Sequence, residues 1–120
     1  MTLRRMKTYT GAQGYVYQYY FVGKRAAVTA VQAEAATEYI FDVTSDRKTT
    51  YSVSVFLPER ALREWSATHG RNLTEAEQYG AVKMQLFRAF DEVEDLRTNG
   101  RQLNLDPASL EEALSALRVD

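Results

Sequence analysis

The segment from Gly14 to Gly23 constrains the fold of this chain more than any other. Between the two glycines lie eight residues, of which seven are aromatic or β-branched. Such side chains pack well on a pleated surface, and glycines commonly flank strands. The segment is therefore predicted to be a β-strand.

Side chains alternate between the two faces of a strand, so this segment divides into two sets. One face carries four aromatic rings, those of Tyr15, Tyr17, Tyr19 and Phe21. The other face carries Val16, Gln18, Tyr20 and Val22. Because both sets are largely apolar, the strand is expected to be covered on both sides or to lie centrally in the sheet.

The next stretch, 24–37, fits two structures. Its alanines favour a helix, whereas Ala27–Val31 fits a short strand. We predict a second strand followed by a loop, and the helix stays open as the alternative.

A β-hairpin is predicted from Glu38 to Leu57. Two segments, 38–44 and 50–57, flank the polar turn 45–48, whose length is one that hairpins use. Alternation of apolar residues with serines in the second segment is typical of a strand with one solvated face. The register must bring two apolar sets to the same side of the sheet. They are Tyr39, Phe41 and Val43 in the first strand, and Tyr51, Val53, Val55 and Leu57 in the second.

Three helices are predicted after the hairpin. Pro58 suits the first position of a helix, where its missing N–H costs nothing, and Gly70 suits its C-terminal stop. A second helix begins at the capping box Thr74–Glu77 and ends at 98–100. Asp106 then caps a last helix.

The apolar residues of these helices recur at helical spacing. They are Ala61, Leu62 and Trp65 in the first helix, Tyr79, Val82, Leu86, Phe87, Phe90, Val93 and Leu96 in the second, and Leu110, Ala113, Leu114 and Leu117 in the third. The predicted core comprises Tyr39, Phe41, Val53, Val55, Leu62, Trp65, Val82, Leu86, Phe90 and Leu114.

The order of strands followed by helices indicates an α+β fold rather than a parallel α/β fold. We predict an antiparallel sheet of three to four strands, with two longer helices and a short C-terminal helix packed on one face. A chain of 120 residues with 45% hydrophobic and 26% charged residues is expected to form one domain, 1–120, with 1–6 as a flexible arm.

Neither a catalytic nor a metal or cofactor signature is present in the sequence, and none of these is predicted. His69 is the only histidine, and it is interpreted as a helix-terminal residue that complements the helix dipole. The acidic run Asp91–Asp95 is interpreted as a solvated helix face. Asp42 is expected on the solvated face of its strand. The segment Gly23–Arg25 matches neither a P-loop nor a dinucleotide-binding motif, so no phosphate site is predicted there.

The net charge and the cysteine content limit which cellular locations and which classes of partner are expected for this protein. A net charge of −1 gives no global attraction to nucleic acid, and the absence of cysteine excludes disulfides and thiolate sites. The N-terminus lacks the apolar run of a secretory signal, and no stretch approaches the ~20 apolar residues of a membrane span. We expect a cytoplasmic protein without membrane contact.

The tyrosine-rich strand is the candidate binding element. Its predicted binding residues are Tyr15, Tyr17, Tyr19, Tyr20, Lys24 and Arg25. The leading hypothesis is a non-catalytic interaction module that forms a homodimer or docks a protein partner through this strand, because aromatic residues are enriched in interfaces.

Two further hypotheses remain open. The first is single-stranded nucleic-acid binding, with Tyr15, Tyr17 and Tyr19 stacking on bases. Its positive charge would come from Arg4, Arg5, Lys7, Lys24 and Arg25. The second is a small-molecule pocket between sheet and helices, with tyrosine hydroxyls, His69 or Asp42 as its polar groups.

Overall fold

A computed structural model describes residues 6–29, 33–93 and 95–119 of the chain. Within these ranges the chain forms five strands and four helices. In chain order they are β1 (Lys7–Thr10), β2 (Val16–Val28), β3 (Ala35–Thr44), β4 (Tyr51–Pro58), α1 (Glu59–His69), α2 (Glu75–Glu92), α3 (Leu96–Asn99), β5 (Gln102–Asn104) and α4 (Pro107–Ala116). The predicted arm, 1–6, lies outside the described residues except for Met6.

The strands form one sheet in the order β1-β2-β3-β4-β5. The first three pairings are antiparallel, and β5 joins β4 in parallel. The α+β class and the antiparallel character of the sheet are therefore confirmed. The two additional strands are the short edge strands β1 and β5, of four and three residues, which sequence periodicity does not mark.

Strand β2 is longer than predicted and continues through Gly23 to Val28. The pairing with β3 shifts between Phe21 and Gly23, so a β-bulge lies where the sequence indicates a strand end. The prediction of a strand followed by a loop within 24–37 is confirmed in part, since 24–28 are strand and residues 29, 33 and 34 are not. The strand is not a separate one, because a glycine within a strand marks a bulge as readily as a terminus. Residues 30–32 of that stretch lie outside the described residues.

The predicted hairpin is formed by β3 and β4, with the predicted register. Phe41 pairs with Val53 and Val43 pairs with Tyr51, so the two apolar sets share one face. Asp46 holds the turn, since one of its carboxylate oxygens accepts hydrogen bonds from the backbone N–H groups of Lys48 and Thr49, both at 2.8 Å. Backbone bonds to that carboxylate lower the pKa of Asp46.

Local capping signals place the helix termini. Pro58 is the N-cap of α1 rather than its first helical residue, and Gly70 ends α1 with a left-handed φ of 74°. The capping box of α2 is present in both directions, with the Glu77 amide donating to Thr74 Oγ1 and the Thr74 amide donating to Glu77 Oε1. Asp106 caps α4 through the backbone N–H of Ser109.

Helix α2 ends at Glu92, several residues before the predicted end at 98–100. Its last turn carries Asp91 and Glu92 and no basic residue, and negative charge at the carbonyl end of a helix opposes the helix dipole. The chain then turns through Asp95, whose φ is 52°, into α3. The predicted continuous face from Tyr79 to Leu96 is therefore divided between two helices, although Leu96 is still buried.

The core lies between one sheet face and the helices. Nine of the ten predicted core residues are buried, and Leu62 is partly buried against them. Leu117, predicted on the buried edge of the last helix, is exposed because α4 ends at Ala116. A Cβ on Gly80 would lie 3.1 Å from the Leu117 side chain, so the glycine leaves room for that side chain beside α2.

Candidate functional site

The tyrosine-rich strand directs its first set of rings into the core. Tyr17, of which 3% is exposed, stacks on Phe90 of α2 with ring centroids 4.3 Å apart. Tyr19 contacts Phe87 edge-on at 5.6 Å. These rings form part of the packing between β2 and α2, so they are not free to stack on a base.

The six predicted binding residues are distributed over three places. Tyr15 is exposed just before β2 begins, and Tyr17 and Tyr19 are buried beneath α2. The Lys24 ammonium lies on the helix side of the sheet, 5.6 Å from the centre of the Tyr39 ring. Tyr20 and Arg25 belong to the opposite side, where they pair with Asp42 and Glu38 of β3. The structure therefore does not bring the six together in one site.

That opposite side of the sheet is the candidate interaction surface, which we call the open face. Its residues follow from the strand register and alternate with the core residues. They are Val16, Gln18, Tyr20, Val22, Arg25, Glu38, Ile40, Asp42, Ser52, Ser54 and Phe56. None of its apolar side chains belongs to the hydrophobic cluster that the sheet forms with the described helices. Of the two alternatives expected for β2, the position inside the sheet is the one that is confirmed.

The open face combines apolar side chains with polar and charged ones. Val16 and Val22 remain 43% and 48% exposed, and Tyr20, Ile40 and Phe56 are half-buried by their neighbours. Ser52 and Ser54 alternate with the buried residues of β4, as the sequence predicts. Isolated exposed valines are common on protein surfaces, but here they lie in one strand beside half-buried aromatic residues.

The charges of the open face are balanced. Arg25 Nε donates to Glu38 Oε1 at 2.9 Å, and Ser54 Oγ donates to Glu38 Oε2 at 2.6 Å. Burial raises the pKa of Glu38, but these two hydrogen bonds lower it by more, so the pKa lies below its ordinary value. Glu38 is thus ionised at neutral pH and neutralises Arg25.

A second arginine and a second carboxylate complete this balance. Arg101 lies at the rim, where its Nε donates to the Ser52 carbonyl at 3.0 Å. Asp42 lies within the face on β3, which confirms its predicted position on the side opposite Phe41 and Val43. Two cations and two carboxylates leave no net positive charge of the kind that attracts nucleic acid.

His69 joins two helices. Its Nε2 lies 2.8 Å from a carboxylate oxygen of Glu111 in α4, and its ring stacks on Trp65 at 4.2 Å. The arrangement links the end of α1 to α4. It therefore supports a structural role for His69. The partner of the imidazole is a carboxylate of another helix, and the C-cap residue of α1 is Gly70.

The acidic run is not a solvated face of one helix. Asp91 accepts hydrogen bonds from the Tyr9 hydroxyl and from the Ala12 backbone N–H, both at 2.9 Å, and so fixes the loop after β1. Asp95 lies beyond the end of α2, so the two carboxylates do not share a helix face. Among the described residues, no group of three or more histidine, cysteine, aspartate or glutamate side chains is arranged to hold a metal ion.

Two surface cavities bear on the pocket hypothesis. A groove of about 410 Å³ lies between α2, α4 and β1, with Tyr9, Phe87 and Ala113 among its lining residues. A second cavity, of about 380 Å³, lies at the end of the sheet and includes Tyr17 and Tyr51. His69 and Asp42, the polar groups proposed from the sequence, line neither of them.

Comparison of the chain with protein-family models, curated proteins and solved structures finds no significant match in any of the three. No helix in the described part of the chain is both long and apolar enough to cross a membrane.

Proposed function

We propose that this protein is a small non-catalytic interaction module whose open face packs against the open face of a second copy. The observation that carries the proposal is that the helices cover one side of the sheet while apolar side chains of β2, β3 and β4 remain outside the hydrophobic cluster on the other. Face-to-face packing of two sheets is a standard way to bury such a surface.

The charge distribution favours a second copy as the occupant. In a two-fold dimer the same surface patch meets itself, so a face with a strong net charge would repel its partner. Arg25 and Glu38 neutralise each other within one chain, which removes this repulsion. The same balance disfavours nucleic acid, which needs a basic surface.

The dimensions of the sheet agree with a modest interface. The ten residues of β3 span about 33 Å, and three adjacent strands are about 14 Å wide. Two such faces in contact bury on the order of 1,000 Å², about the lower bound for a stable biological interface. Side chains of the edge strands add to this area.

Val22 and Val28 provide a matched test, because both are exposed valines of β2 and only Val22 belongs to the open face. Val28 is 64% exposed and pairs with Ala35 at the far end of the strand. In Val22→Glu, two like charges would meet across the two-fold interface, so we expect a monomer. Val28→Glu and the unmodified chain should remain dimers.

Sedimentation equilibrium at micromolar concentrations measures these states, and circular dichroism verifies that each variant is folded. A monomeric unmodified chain, or a dimer that survives Val22→Glu unchanged, would refute the proposal.

We also propose a cytoplasmic location, supported by the absence of cysteine in the sequence.

A further inference from the structure

A cavity of about 380 Å³ lies at the end of the sheet where β2 and β4 begin. The turn between β3 and β4 and the segment 95–99 form its other walls. Its lining residues include Tyr15, Tyr17, Ser45, Tyr51, Asp95 and Arg97. The volume lies within the range of small-ligand sites.

Two nearly buried tyrosines contribute to this cavity without using their hydroxyl groups. Tyr17 and Tyr51 are 3% and 7% exposed, and neither hydroxyl forms a hydrogen bond within the described part of the chain. Neither oxygen is among the fully enclosed, unsatisfied atoms, so both can reach a molecule in the cavity. Two buried rings whose hydroxyls open into one cavity give that cavity a pair of hydrogen-bond donors.

Both phenols stay protonated over the physiological pH range. Burial raises the pKa of Tyr51 to about 12, with smaller contributions from Tyr17 and Asp95. Burial also raises the pKa of Tyr17, as do the charges of Tyr15 and Asp95. Each phenol is therefore available as a hydrogen-bond donor.

Asp95 adds a carboxylate beside these donors. Its φ of 52° is in the left-handed region, which aspartate tolerates better than most residues. It occupies the N-cap position of α3, yet its side chain makes no capping hydrogen bond and instead lines the cavity. Its charge contributes to the raised pKa of both Tyr17 and Tyr51, and all three side chains line the same cavity.

The combination of groups indicates the class of ligand. Asp95 and Arg97 contribute opposite charges, so neither an anion nor a cation is favoured as a whole. The phenols and the guanidinium donate hydrogen bonds, the carboxylate accepts them, and the Ser45 hydroxyl does both. A neutral molecule with several neighbouring hydroxyl groups matches this set, and the exposed ring of Tyr15 offers a flat apolar surface to one side of it.

We propose that this cavity binds one sugar ring, either a free monosaccharide or the end of a glycan. The phenols of Tyr17 and Tyr51 donate to sugar oxygens, and Asp95 accepts from sugar hydroxyls. The C–H face of the ring packs on Tyr15. The open-face residues that form the proposed dimer do not line the cavity, so this inference stands independently of the proposed function.

The test is a titration of the full chain with glucose, galactose, mannose and N-acetylglucosamine in turn. Backbone amide NMR spectra monitor each titration. At least one sugar should shift the amide signals of residues 15, 45, 51 and 95–99 in a saturable manner. Tyr17→Phe and Tyr51→Phe, which each remove one hydroxyl, should weaken that binding by roughly fivefold to tenfold.

Tyr79→Phe is the matched control, because it removes the hydroxyl of a half-buried tyrosine on α2 that does not line the cavity. It should bind the sugar as the unmodified chain does. Tyr15→Ala, at an exposed position, should weaken binding without changing the unfolding midpoint, so the test does not depend on the two buried positions. Absence of saturable shifts at the cavity for all four sugars, or equal weakening by Tyr79→Phe, overturns the proposal.

Discussion

Tyr17 and Tyr20 are three residues apart in the sequence, but their side chains lie on opposite faces of the sheet. Tyr17 stacks on Phe90 in the core, whereas Tyr20 lies on the open face beside Asp42. A tyrosine suits both environments, because its ring is apolar and its hydroxyl is polar. The role of each tyrosine is therefore decided by the face to which it points.

This difference predicts contrasting effects of two serine substitutions. Tyr17→Ser leaves a cavity against Phe90 and should lower the free energy of unfolding by about 3–5 kcal/mol. Tyr20→Ser should change the stability of the monomer by less than about 1 kcal/mol and should weaken the proposed dimer. Urea unfolding at low protein concentration measures the free energy of unfolding of each variant. Light scattering measures the extent of dimer formation. Equal destabilisation by both variants would show that both faces are buried within one chain.

Elements of this chain begin where capping groups place them and end where charge or backbone geometry stops them. The capping box starts α2 at Glu75, and the acidic last turn coincides with its end at Glu92. Strand β2, by contrast, passes through Gly23 because its pairing with β3 continues on both sides of the bulge. Pairing with a neighbouring strand outweighs the local tendency of a glycine to end a strand.

The capping box is testable by removing its hydroxyl. Thr74→Ala deprives the Glu77 backbone N–H of its acceptor and should lower the free energy of unfolding by about 1 kcal/mol. Thermal or urea unfolding measures the loss. Thr68→Ala is the control, because Thr68 Oγ1 only donates to the Glu64 carbonyl within α1 on the exposed surface, and it should be close to neutral. A neutral Thr74→Ala would contradict a stabilising role of the cap.

Several tyrosines spread over the whole molecule make its stability sensitive to pH, because burial raises the pKa of each. They are Tyr9, Tyr17, Tyr19, Tyr39, Tyr51 and Tyr79. For Tyr51 the pKa rises from 10.0 to about 12. Between these two pH values the folded chain binds more protons than the unfolded chain, so stability falls as pH rises.

We therefore expect the urea midpoint to be constant up to about pH 9 and to decrease steadily from pH 10 to 12. The tyrosinate absorbance of these six residues should follow unfolding rather than precede it. Tyr51→Phe removes one of the titrating groups and should reduce the slope of this decrease. An unchanged midpoint up to pH 12 would mean that these phenols ionise as readily in the folded chain as in the unfolded one.

The sequence by itself determined the features that depend on near neighbours. The strand at 15–22, the β3–β4 hairpin with its register, the capping box of α2 and the cap at Asp106 all follow from alternation or from hydrogen bonds within a few residues. Nine of the ten predicted core residues are buried for the same reason, since periodicity identifies the apolar face of an element.

Only the tertiary structure decided the features that depend on distant partners. The short strands β1 and β5 exist because β2 and β4 offer free edges to them, and their own residues carry little signal. The open face and the cavity at Tyr17 and Tyr51 arise from which side of the sheet the helices cover and where α2 ends. These outcomes depend on contacts between segments far apart in the chain, which the order of residues in one segment does not encode.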